Sequence, residues 1–107
     1  MDRHDYCFFG GQGDVPILKG NLIKKRFTLS KKKNKINFTS FPVSHGWIKS
    51  TAYIFNKTAY ISDCNEIYQK DFSKLKGLNY LIIDCLKFAY HPSHFNLDTA
   101  LDFCNKV

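Results

Sequence analysis

The chain has 107 residues, with 16 Lys or Arg against 9 Asp or Glu, for a formal net charge of +7. A chain of this length buries about 65% of its unfolded surface, enough for one core and no more. With 44% hydrophobic, 16% aromatic and 23% charged residues, the composition is globular and excludes a disordered chain. No apolar run approaches the ~18–20 residues needed to cross a bilayer. Asp2, Arg3, His4 and Asp5 come first, and the apolar stretch that follows stops at Gly10-Gly11, which is not the pattern of a signal peptide. A cytoplasmic protein without a membrane partner is expected. Cys7, Cys64, Cys85 and Cys104 are widely spaced and contain no C-x-x-C pair. They fit neither a disulfide scaffold nor a zinc finger, and are read as reduced, mostly buried thiols.

Residues 1–20 read as a loop-like entry segment. Its GGQGDVP stretch has the glycines of a phosphate loop but no clear helix after it. The basic residues then cluster: Lys19, Lys24, Lys25, Arg26, Lys31, Lys32, Lys33 and Lys35 lie together with no acidic residue among them. Such a patch attracts phosphates or another anionic surface. Interleaved Phe27, Leu29, Ile36 and Phe38 make it a hairpin, with strands over 24–29 and 36–42 about a lysine-rich turn. A second hairpin follows, with strands over 50–55 and 58–62 about Asn56-Lys57.

Between 66 and 76 the period changes. Ile67, Phe72 and Leu75, ended by Gly77, predict a short amphipathic helix. The apolar run 78–85 predicts a strand covered on both faces, giving a strand–helix–strand crossover with the second hairpin. After a His-Pro-Ser-His loop, Asn96 caps a final helix with Leu97, Ala100, Leu101 and Cys104 on one face. The fold class is α/β of the α+β sandwich type: one partial domain over 1–107, with a mixed sheet and helices on one face.

Imidazoles and carboxylates gather at one end of this sheet. With Asn56-Lys57 as the turn, Ser50 lies opposite Asp63, so His45 enters the hairpin on the side from which Asp63 leaves it. Asp84 ends the next strand at the same edge if the two run parallel, and His91 and His94 occupy the loop after it. Layered α/β folds place ligands at the carboxyl ends of their strands. Nitrogen and hard oxygen donors there suit a divalent metal such as zinc or manganese. His91 and His94 are three apart, but Pro92 argues against a helix that would aim both at one ion.

HGWIKSTAYIF (45–55), AYISDC (59–64), LKGLNYLIIDCL (75–86) and HPSHFNLDTAL (91–101) stand in an order that resembles metallo-β-lactamase-fold hydrolases. The branch they resemble contains the phosphonate-pathway cyclic phosphodiesterase and is related to tRNase Z. The resemblance covers 42–107 and implies incomplete αββα layers and metal-dependent phosphodiester hydrolysis. It implies that His45 is a metal ligand, that Asp63 bridges two metals, and that His94 contacts the scissile phosphate or protonates the leaving group. Asp84 and His91 would be site-adjacent. The family's H-x-H-x-D-H cluster and its last histidine ligand have no counterpart in the sequence. The expectation is therefore a hydrolase fragment, inactive alone, completed by a companion chain that carries the missing motif or by self-association. The rival expectation is a small basic module that binds nucleic acid through the Lys24–Lys35 strands.

Overall fold

The computed structural model describes residues 20–107. The 1–19 part of the entry segment, with its glycine-rich stretch and Cys7, lies outside the described residues. Four strands form an antiparallel meander: β1 (Arg26–Lys31), β2 (Asn34–His45), β3 (Ile48–Phe55) and β4 (Thr58–Ile61). A fifth, β5 (Tyr80–Ile83), lies parallel to β4 at the edge, so the mixed sheet has the order β1-β2-β3-β4-β5. A 3-10 helix (Gln69–Leu75) makes the crossover from β4 to β5, and helix α1 (Leu97–Cys104) follows β5. The class is α+β, as the sequence implies. Among the described residues, no helix is long and apolar enough to cross a membrane.

Turn chemistry sets the registers. Asn56 and Lys57 both take positive φ, 47° and 55°, the backbone that matches the twist of a two-residue hairpin. The resulting pairs Phe55↔Thr58 and Tyr53↔Tyr60 place Ser50 level with the residues just after β4, and its hydroxyl lies 3.4 Å from the Ser62 carbonyl. Pairing of Ile61 with Ile83 brings the carboxyl ends of β4 and β5 together, and the Asp84 N–H donates to the Ile61 carbonyl at 2.9 Å. The carboxylates that follow both strands therefore share one rim.

Phe41 and Val43 of β2, Ala52 of β3, and Ala59 and Ile61 of β4 point to one face of the sheet. There they meet Ile67, Leu75, Phe95, Ala100 and Phe103 in the core. The opposite face is also apolar, with Phe27 stacked on Phe38 at 5.0 Å and Phe38 against Phe55 at 5.2 Å. On this face Leu29, Tyr60, Tyr80 and Ile82 stay exposed.

Four expectations are corrected. The 66–76 segment forms a 3-10 helix over Gln69–Leu75, with no side-chain cap at Tyr68, and buries Asp71 beside Leu75. An uncapped short segment takes the tighter i→i+3 bonds, here from the Asp71 N–H to the Tyr68 carbonyl. β5 is covered on one face only: Leu81 and Ile83 pack on the core, while Tyr80 and Ile82 are exposed. Helix α1 keeps its Asn96 cap, reinforced by a reciprocal bond with Thr99, but buries Ala100 and Phe103. Leu97, Leu101 and Cys104 face outward, because Phe103 supplies the ring that packs against Phe72 and Phe95. Of the described thiols, Cys64 is buried while Cys85 and Cys104 are exposed, and none of the three is bonded to another.

Candidate metal centre

His45 is the last residue of β2, and Gly46 beyond it turns the chain with φ +62°. Asp63 follows β4 in left-handed backbone, φ +46°, which aims a mostly exposed carboxylate over the rim. His94 belongs to the loop after β5, a tight turn closed by an isolated bridge between His91 and His94. That loop is tied down at both ends of the turn. The Phe95 N–H donates to the Cys64 carbonyl at 2.7 Å, and the Leu86 N–H donates to the Phe95 carbonyl at 3.0 Å. The result is that His45, Asp63 and His94 each bring a potential ligand atom within 4.8 Å of the other two.

The chemistry of the neighbours fixes both rings. His45 Nδ1 lies 2.7 Å from the Ser93 carbonyl oxygen. A carbonyl only accepts, so Nδ1 carries the hydrogen and Nε2 keeps the lone pair. His94 Nδ1 lies 2.7 Å from Asp84 Oδ2, which also accepts the Cys64 N–H at 3.0 Å. The second imidazole is thereby held in the same tautomer, with its Nε2 free. A histidine whose far nitrogen is engaged by a carbonyl or carboxylate is the usual outer arrangement around a protein-bound metal. With two such imidazoles and a carboxylate, the donor set fits a divalent ion of the zinc or manganese type.

All five residues singled out in the sequence come to this rim, but not in equal roles. Asp84 is nearly buried and bonds the His94 ring. His91 stands beside His94, with ring centroids 5.1 Å apart, yet its Nδ1 accepts the Ser93 N–H at 3.2 Å and so shapes the loop. Cys64 sits under the centre, but burial pushes its thiol up from 9.0 to about 12, leaving a neutral group unsuited to ligation.

Sequence reasoning missed the residues that brace the rim. Asn65 accepts the Gly46 N–H at 2.7 Å and the Ser44 hydroxyl at 3.2 Å, tying the end of β2 to the segment after β4. The Ser93 carbonyl is equally hidden, since a backbone acceptor has no residue signature. The one available signal for Asn65 is its place two residues beyond Asp63, in a segment that must leave the sheet.

No protein-family model and no curated protein matches the sequence. Among solved structures, the chain is similar to the crystal structure of a new diphosphatase from the PhnP family, with 27% identity and a TM-score of 0.70. The match covers 80% of this chain and 33% of that one, so this chain spans about a third of the length of the structure it matches. The five-stranded mixed sheet with its two helices is thus a metallo-β-lactamase-like part-fold.

Proposed function

We propose that this chain is part of a metal-dependent hydrolase acting on phosphodiesters or related phosphoric linkages, and that it is inactive alone. The observation that carries the reading is the convergence of His45, Asp63 and His94 on one rim, with His94 braced by Asp84. Likeness to a diphosphatase at 27% identity supports the same class of reaction, attack at phosphorus with loss of an oxygen leaving group. In the completed site His45 and Asp63 hold metal, zinc or manganese by donor type. When bound, the ion lowers the pKa of water and offsets charge on the phosphoryl oxygens. His94, oriented through Nδ1, acts as the imidazolium: Nε2 takes a proton from solvent, presents that N–H to the leaving oxygen and gives the proton to it, returning to the neutral ring. The remaining ligands come from a companion chain with an H-x-H-x-D-H segment, or from self-association.

The test is turnover of bis(p-nitrophenyl) phosphate with added zinc or manganese. The lone chain is expected to stay at background. Mixing it with the unmatched part of the PhnP-family diphosphatase is expected to produce turnover that His45→Ala or Asp63→Ala removes. Robust turnover by the lone chain, or a mixture indifferent to both variants, overturns the reading.

A second reading draws on the lysines. Lys31, Lys32, Lys33 and Lys35 are exposed at the far end of β2 from His45. A strand of 12 residues separates them from the centre by about 36 Å at ~3.3 Å per residue. That separation suits a long polyanion better than a small ester.

A further inference from the structure

We infer that His94 is itself a metal ligand in this chain, completing a mononuclear His45–Asp63–His94 site. The inference rests on the metal reading of the rim but departs from the role given to His94 above. His45 and Asp63 alone are two donors, too few to hold an ion against water. Adding His94 makes three protein ligands and one open position, the composition of an open zinc site. Three observations favour ligation over a free acid.

First, a ligand atom of His94 falls within the same 4.8 Å grouping as those of the other two residues, and its ring meets that of His45 edge-on at 4.8 Å between centroids. Second, the two imidazoles are equivalent in their outer bonding. Each has Nδ1 engaged by an oxygen acceptor at 2.7 Å and Nε2 left with its lone pair. Asp84 stands to His94 as the Ser93 carbonyl stands to His45, each fixing the orientation of the ring it holds. Third, Asp63 is the adjustable member. Ligand atoms around a tetrahedral zinc lie about 3.4 Å apart. With its side chain 62% exposed, Asp63 has room to close the remaining distance, while the histidines are held in place.

The two roles of His94 exclude each other. A nitrogen that gives its lone pair to an ion has no proton to deliver to a leaving oxygen. An isolated chain that closes its site with His94 therefore binds metal and leaves itself without its acid. Ligands arriving from a companion would release the ring.

The experiment uses the full chain, stripped with chelator and titrated with Co(II) while the visible ligand-field bands are recorded, with Zn(II) calorimetry alongside. One ion per chain is expected, with intense bands of low coordination number. His94→Ala is expected to weaken binding at least about 100-fold, and Asp84→Asn by the 10–100-fold typical of an outer-shell loss. His94→Cys, which restores a ligand, is expected to regain binding and add a thiolate-to-cobalt charge-transfer band that a merely structural role would not produce. Asp102→Asn, an exposed carboxylate on α1 outside the ligand group, is expected to bind as the parent does, and circular dichroism checks that each variant is folded. Wild-type affinity in His94→Ala, or two ions per chain, overturns the inference. If His45→Ala and Asp63→Ala lose binding while His94→Ala keeps it, only this inference fails. If the parent chain binds no ion, the metal reading of the rim fails with it.

Discussion

At Gly46 two requirements meet: a φ of +62°, and a close approach that leaves an added Cβ 2.9 Å from the Ser93 Cβ. The same serine supplies the carbonyl that holds His45, so Gly46 sets the gap between the end of β2 and the histidine loop. Gly46→Ala is expected to cost roughly 1–3 kcal/mol from the left-handed backbone and to push the loop outward. Denaturant melts check the first effect, and weaker Co(II) binding checks the second. At this scale the sequence revealed the chemistry-bearing side chains but not their supports. His45, Asp63 and His94 were legible because they end strands or occupy a loop in motifs of known order. The Asp84–His94 bond spans ten residues. It follows only once the turn at His91–His94 and the Leu86–Phe95 bond are known to fold the loop back on Asp84.

The elements divide by what their signals depend on. The hairpin at Asn56-Lys57 and the Asn96 cap are decided within a few residues, and both appear where the pattern placed them. The segment at Gln69–Leu75 departs from the expected amphipathic helix because Phe72 and Leu75, three apart, share a face in an α-helix and in a short 3-10 turn alike, and no side-chain cap commits it to the former. The burial of β5 departs from expectation for a related reason. A continuous apolar run reports that both faces are apolar, and here only one of them is covered. The β1–β2 hairpin carries its own prediction. If its lysines grip nucleic acid, Lys31→Gln, Lys32→Gln and Lys33→Gln together flatten the salt dependence of binding, by about 0.7 per lost contact on a single strand. His45→Ala leaves that slope unchanged. Fluorescence anisotropy of a labelled oligonucleotide across a salt series reads both; a slope indifferent to the lysines means they are only a solvated turn.

Across the molecule, the sheet has two apolar faces and, among the described residues, helices on one. Leu29 is 58% exposed and Ile82 49% on the open face, at opposite edges of the five strands. A groove of about 430 Å³ lies between, lined by Phe27, Phe38, Tyr53 and Phe55 among others. A patch of this kind makes a chain sticky. Leu29→Lys with Ile82→Lys is expected to reduce dye binding and self-association while changing stability by no more than about 0.5 kcal/mol each. A cost of several kcal/mol would show the face to be covered. The parallel pairing of β5 has a consequence for the order in which the centre forms. β1 to β4 are joined by two-residue turns and close over short loops, whereas β5 reaches β4 only after the 62–79 crossover. Closing that longer loop comes late, because its entropy is lost before its contacts form. His45 and Asp63 belong to the early meander, while Asp84, Ser93 and His94 arrive with the late half. Each imidazole thus acquires its Nδ1 partner in the last stage of folding. An ion that needs all three residues binds only the finished chain, so it draws the population toward that state by mass action.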